Sequence, residues 1–334
     1  MSKAERLVEV WRGDILESQH RGHAVVVDKT GQIVHAWGDP DQVILPRSSA
    51  KMLQALPLVE SGAADAAGLT TEQLALACAS HQGAAIHTDR VSRWLADMGL
   101  GNDDLRCGPQ WPDDRPAKIG LIKTDDSPCR IHNNCSGKHA GFLTLSRHMG
   151  VSDPEYVELD HPIQVAIKQA FEEVTDEVSP GFGIDGCSAP NHASTLLGMG
   201  RAMAGFASAN EDGDMRQKAS ARLREAMMLH PELVAGETRA CTELMRTAPG
   251  KVALKTGAEA FFVAIIPELE MGVALKIEDG STRASECAVA AILVKLGVLD
   301  PAHPDVKKRL NPDVLNLMGL NTGFIRPSEA VLAL

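Results

Sequence analysis

Ser48 and Lys51, three positions apart in "PRSSAK", could form a nucleophile and its base. A serine hydroxyl attacks poorly until a base takes its proton, and a lysine amine does so only where its surroundings favour the neutral form. On a helix the spacing puts both side chains on one face, a turn apart. A serine that merely caps the helix suggested by "AKMLQALPLVE", followed by a solvated lysine, accounts for the same residues, since serine is among the best N-caps.

A later "KTG", Lys255 to Gly257, shifts the balance. S-x-x-K on a helix and K-T-G on a strand, in that order, form the arrangement of serine acyl-transferases of the β-lactamase and penicillin-binding type. Lys276, in "LKIEDG", is a second lysine expected on the strand beside it. The intervening S-D-N element is absent. Ser80 in "ACASHQGAAIH" is the candidate substitute, with a helix C-cap as its ordinary alternative.

Two cysteine segments form the second constellation. "IHNNCSGKHAGF" sets Cys135, Lys138 and His139 at the start of an expected helix, where a thiolate gains from the helix dipole. "GFGIDGCSAPNHA" sets Asp185 and Cys187 in a glycine-rich turn with His192 close behind. Two cysteines with His and Asp nearby suit zinc, although neither segment has C-x-x-C spacing; a cysteine nucleophile or two ordinary buried thiols fit as well.

The elements that must position these residues are legible in outline. "HAVVVDKTGQIVHAWGD" reads as two strands joined across Lys29-Thr30-Gly31. From Ser48 to about Met149 the texture is helical, interrupted by "CGPQWPDDRPAKIG", which reads as an irregular proline-rich loop. Helices continue from Ala193 to Met245, and "KVALKTGAEAFFVAIIPELEMGVALKIEDG" then gives three apolar runs of strand type. "ASECAVAAILVKLGVL" is a buried helix, while the tail around "NPDVLNLMG" gives only weak signals. The expected fold class is α/β (α+β): one mixed sheet from N- and C-terminal strands, packed against helices, with a helical region inserted. The chain reads as a single catalytic domain, 1–334, with sheet-forming segments at about 1–45 and 250–334 around a mostly helical 46–249.

Composition limits the alternatives. The chain has 334 residues, 44% of them hydrophobic, and no apolar run approaches the ~18 residues of a membrane span. A charged N-terminus without a signal-peptide pattern reads as cytoplasmic. A formal net charge of -11 argues against binding nucleic acid or anionic membranes by bulk electrostatics. Seven scattered cysteines do not form a disulfide framework.

With "PRSSAK", "CASHQG", "HNNCSGKH", "DGCSAP" and "LKTGAE" in place, the chain resembles over nearly its whole length the thermolabile, rhizobial-type (class 3) L-asparaginases. The resemblance implies a β-lactamase/glutaminase-like fold, a homodimer, and hydrolysis of L-asparagine to L-aspartate and ammonia. Residue by residue it implies Ser48 and Lys51 as one Ser-Lys pair, Ser80 as the serine of a second, and a zinc ion held by Cys135, Lys138 and Cys187. Lys255 is assigned to Ser80 by its K-T-G context, with Lys276 in reserve. Asp185 is placed to receive the substrate's α-ammonium, and Arg47 or His139 to contact carboxylate or amide groups. The competing functions are a glutaminase or other Ser-Lys amidase, a β-lactam-reactive enzyme on the same scaffold, and a non-catalytic zinc-binding protein.

Overall fold

In the computed structural model, which describes residues 3–151 and 154–333, the chain divides into two compact units. One comprises the chain up to Ser49, Ser194–Ser208 and the chain from Glu243 on; the other comprises Ala50–Ala193 and Ala209–Thr242.

The first unit is built on a sheet. Its N-terminal strands are β1 (Glu5–Arg12), β2 (Ile15–Asp28), β3 (Ile33–Trp37) and the short β4 (Val43–Ile44). Further on come β5 (Phe182–Ile184) and β6 (Pro190–His192), which belong to the second unit, and β7 (Ser194–Thr195), which pairs with β4. The C-terminal strands are β8 (Ala253–Thr256), β9 (Phe261–Ile266), β10 (Met271–Ile277), β11 (Asp313–Leu315) and β12 (Asn321–Pro327). Eight of these form one sheet in the order β11-β12-β1-β2-β10-β9-β8, with β3 also paired to β2. N- and C-terminal segments therefore share a single sheet, as the sequence implies, and its described pairings are antiparallel.

The β-branched run Val25–Val27 and the whole of β9 are buried, because the helices Leu196–Ser208 and Thr282–Lys295 pack on the sheet. The β2–β3 turn closes on Asp28, whose Oδ1 accepts the Thr30 N–H at 2.8 Å. One expectation is corrected here, and one weak signal is resolved. Lys276 lies on β10 opposite Phe261 of β9, so a full strand separates it from β8 and Lys255. The tail with weak signals forms the hairpin β11–β12, which extends the sheet beyond β1.

The second unit is mainly helical. Thr71–Ala77 starts at a capping box of Thr70 and Gln73. The stretch read as a proline-rich loop is a loop only in its first half. Arg115–Lys123 is a helix, because Asp114 caps it by accepting the Ala117 N–H at 2.8 Å and Pro116 occupies the first turn, where its missing N–H is harmless. Helix Ser136–His148 is buried over most of its length. A Cβ on Gly137 would stand 2.4 Å from the Leu76 carbonyl oxygen, so glycine is what lets this helix press against Thr71–Ala77. The ribbon β5–β6 carries the "DGCS" turn at its tip. No helix among the described residues is long and apolar enough to cross a membrane.

Candidate active site

Ser48 is not an N-cap. It lies inside a 3-10 turn, Arg47–Ala50, and the α-helix Lys51–Gln54 follows directly. Arg47 opens the turn with a left-handed backbone, φ 51°, a conformation that a non-glycine residue holds only when its surroundings fix it. Ser48 is half-buried, whereas Ser49 is fully buried and its hydroxyl donates to the Lys255 carbonyl oxygen at 3.0 Å. A Cβ on Gly257 would meet the Pro46 carbonyl oxygen at 2.6 Å and Ser49 Oγ at 3.0 Å. The glycine of "KTG" thus lets the end of β8 close on the serine turn, and Ser49 fastens the two. Lys255 is buried on β8, with Nζ donating to the Thr256 carbonyl oxygen at 2.8 Å. Lys276 Nζ donates to the carbonyl oxygens of Ile277, at 2.8 Å, and Glu259.

In the second unit Lys51 is completely buried and reaches Ser80, 29 residues on, with Nζ 3.0 Å from Oγ. Nζ also donates to the carbonyl oxygens of Ala79 and, at 3.5 Å, of Asn134. Three acceptors around Nζ match the three N–H bonds of an ammonium. Backbone bonds hold Ser80 in place: its own N–H donates to Val234 O at 2.8 Å, and the His81 N–H donates to Asn134 O at 3.2 Å.

His81 is fixed in one tautomer. Gly83 N–H donates to its Nδ1 at 3.1 Å, so the ring's proton is on Nε2, which donates to Ser136 Oγ at 2.9 Å; Ser136 in turn donates to Ile131 O. The ring stacks on His87, centroids 4.8 Å apart, and His87 donates through Nε2 to Glu232 O at 2.9 Å. Burial, then the neighbouring His87 and the charge on Lys51, push His81 well below the ordinary histidine range. Burial also lowers His87. Both rings are neutral packing pieces beside Ser80.

Close by, helix Ser136–His148 and the β5–β6 turn bring Cys135, Lys138 and Cys187 together. Lys138 Nζ donates to Cys187 Sγ at 3.1 Å. Cys135 precedes the helix, its N–H donating to Asn133 Oδ1 at 2.9 Å. The thiols share unequally. Cys187 is held well below the usual thiol range, first by its interaction with Cys135 and then by Lys138, while that same interaction and burial push Cys135 up; the Cys135 thiol lies 2.9 Å from Asn134 Oδ1, to which it donates. Burial opposes charge on Lys138, but the Cys187, Cys135 and Asp185 charges outweigh it and raise its pKa. Asp185 is half-buried at the start of the turn, where the Gly186 N–H donates to its Oδ1 at 2.9 Å. Helix Lys51–Gln54 touches this ribbon through Gln54 Nε2, which donates to Pro190 O at 3.2 Å.

His139 is fully buried and bonds through Nδ1 to the Tyr156 hydroxyl at 2.7 Å. Cys107 also belongs to the cluster: burial, then the charge on Cys187, push its thiol up to about 12.

Among the described residues no group of three or more His, Cys, Asp or Glu is placed to hold a metal ion. The set implied for zinc is different, two sulfurs and a lysine amine. Two tetrahedral ligands of those types stand roughly 3.5 Å apart, close to the observed Lys138–Cys187 separation of 3.1 Å. Cys187 already favours its thiolate, and Lys138 would ligate after losing a proton. The donor set therefore fits zinc.

Three contributions had no signal in the sequence reading. The Lys51–Ser80 contact joins distant segments, Cys107 sits in a loop that offers no spacing motif, and Tyr156 acts through one hydroxyl. That Tyr156 is the chain's only tyrosine was the sole available hint.

The sequence pattern of one family, described as L-asparaginase II, matches residues 8–327. The chain is matched over nearly its whole length. It belongs to the L-asparaginase II family. No curated protein matches it. Solved structures similar to it include Mglu in its tris and glutamate form (13% identity, TM-score 0.42), where 90% of this chain covers 63% of that one. A Bacillus glutaminase is 12% identical, with TM-score 0.41 and coverage of 83% of this chain and 91% of that one. A β-lactamase from Mycobacterium bovis is 13% identical, with TM-score 0.36 and coverage of 82% and 94%.

Proposed function

We propose that the protein hydrolyses L-asparagine to L-aspartate and ammonia through a serine ester, with Lys51 as the base. The observation that carries this reading is the buried contact of Lys51 Nζ with Ser80 Oγ at 3.0 Å, in a chain of the L-asparaginase II family.

Ser48, three residues before Lys51, is the nucleophile. Its oxygen attacks the carbon of the side-chain amide as its proton passes to Lys51, with Ser80 as the hydroxyl that Lys51 already holds. Lys51 returns a proton to the leaving nitrogen, and ammonia departs as the ester forms. A water then gives a proton to the same amine and adds to the ester carbon; Ser48 leaves with that proton, releasing aspartate. An ammonium whose three N–H bonds are all engaged cannot accept a proton, so the working form of Lys51 has lost one proton and released one acceptor. The lysine at Ser80 is Lys51, whereas Lys255, assigned to Ser80 by its K-T-G context, donates from Nζ to the Thr256 carbonyl oxygen.

Cys135, Lys138 and Cys187 are the residues that would hold zinc, which as a Lewis acid would anchor the amino-acid end of the substrate. Asp185 is assigned to the α-ammonium and Arg47 to the carboxylate. An anchor fixed in this way sets the length of side chain that reaches Ser48.

The test is ammonia release from L-asparagine and L-glutamine by the purified protein. Because misplacement by about 1 Å costs on the order of a hundredfold, glutamine should turn over at about 1% of the asparagine rate or less. Equal rates would overturn the fixed anchor, and acylation by penicillin without asparagine turnover would make the protein a β-lactam-reactive enzyme instead.

A further inference from the structure

We infer that Tyr156 is a positioning residue: it holds His139 in the tautomer that carries its proton on Nε2, the nitrogen left to act on the Cys135–Lys138–Cys187 cluster.

Donor and acceptor capacity carries the argument. The Arg106 backbone N–H, which can only donate, points at Tyr156 Oη from 2.6 Å. His139 Nδ1 lies 2.7 Å from the same oxygen. Tyr156 is fully buried, so its own proton must go to one of the groups around it, and Nδ1 is the acceptor within reach. Nδ1 therefore has no proton and Nε2 has one. Nε2 is buried and has no hydrogen-bond partner among the described residues; the neighbouring Lys138 bonds Cys187 Sγ at 3.1 Å, and the charge on Cys187 acts on the His139 ring. The opposite tautomer would strand the tyrosine proton. Arg106, Tyr156 and His139 thus form one directed chain that ends on the Nε2 proton. Gln164 Nε2, donating to the Tyr156 carbonyl oxygen at 2.7 Å, fixes the tyrosine backbone from the other side.

On this account His139 acts on the Cys135–Lys138–Cys187 cluster and not by touching substrate. Groups that donate to a ligating atom orient it, and their loss commonly weakens metal binding about tenfold to a hundredfold. That consequence rests on the zinc reading above, whereas the tautomer does not.

Nitrogen-15 long-range correlation NMR of the metal-free protein, with a His139→Gln spectrum for assignment, reads the tautomer directly. The expected result is a proton on Nε2 of His139 in the unaltered protein and a mixture of tautomers in Tyr156→Phe. A proton on Nδ1 in the unaltered protein, or an unchanged tautomer in folded Tyr156→Phe, would overturn the inference. The unaltered protein alone decides if Tyr156→Phe does not fold. In competition with a chromophoric chelator, Tyr156→Phe should bind zinc at least about tenfold more weakly. Undiminished zinc affinity would overturn the positioning role. Failure of the unaltered protein to bind zinc, with the tautomer as expected, would remove the zinc reading and leave the Tyr156–His139 chain standing.

Discussion

Lys51 Nζ and Ser80 Oγ lie 3.0 Å apart with both side chains buried, and the same nitrogen donates to the carbonyl oxygens of Ala79 and Asn134. One side chain therefore ties its own helix to the segment after Thr71–Ala77 and to the loop before Ser136–His148. Lys51 is structural and chemical at once. A substitution that removes its amine leaves the buried Ala79 carbonyl oxygen without this donor and the site without its base, so fold and turnover must be measured together.

The three serines should separate by role. Ser48→Ala and Ser80→Ala should each lower kcat by at least about a hundredfold, and neither loss should add to that of Lys51→Met, since the groups act as one unit. Ser49→Ala removes a buried hydrogen bond to the Lys255 carbonyl oxygen and should cost roughly 1 kcal/mol of stability, read by urea unfolding, with kcat within about tenfold of the parent. An inactive, fully stable Ser49→Ala protein would mean that Ser49 and not Ser48 carries the chemistry.

Stability should fall on acidification through the buried histidines. His81 and His87 have lowered pKa values in the folded protein because burial disfavours their charged form, whereas the unfolded chain titrates near about 6.5. Below that pH the unfolded chain binds more protons, so the stabilisation is complete above about pH 6.5 and is lost as pH drops. Each such ring contributes up to ~1.4 kcal/mol per pH unit in that window. Urea midpoints should decrease from about pH 7.5 to about pH 5; a level or rising midpoint would contradict neutral burial of these rings.

How much of this was legible depended on whether the signal was local. "HAVVVDKTGQIVHAW" announced β2 and β3 because consecutive valines and an Asp-Lys-Thr-Gly turn act over a few residues. The hairpin was obscure because Leu315 of β11 and Leu317, Met318 and Leu320 of its turn are apolar yet exposed, and only β12 alternates in burial. The prolines between Cys107 and Gly120 hid a helix because Pro116 terminates nothing in a first turn. Site residues were recognisable as motifs, yet their partners were not. The spacing to Lys51 set Ser48 apart from Ser49 but gave no sign that Ser49 fastens β8, and Lys51 meets Ser80 only through tertiary packing.

Zinc should bind at about one ion per chain and be lost in Cys135→Ser and Cys187→Ser proteins. If the ion anchors the amino-acid end alone, it holds ground state and transition state alike, and its removal raises KM more than it lowers kcat. Metal analysis alongside steady-state kinetics after chelation checks both points. A collapse of kcat at saturating asparagine would place the ion in the bond-breaking step.

Turnover of L-asparagine by Lys51→Met at saturating substrate, with circular dichroism to establish folding, tests the account at its centre. A folded variant whose ammonia release is at least about a hundredfold slower than the parent's is the expected result, because no other group takes the serine proton in this mechanism. A folded Lys51→Met protein that releases ammonia at close to the parent rate would contradict it.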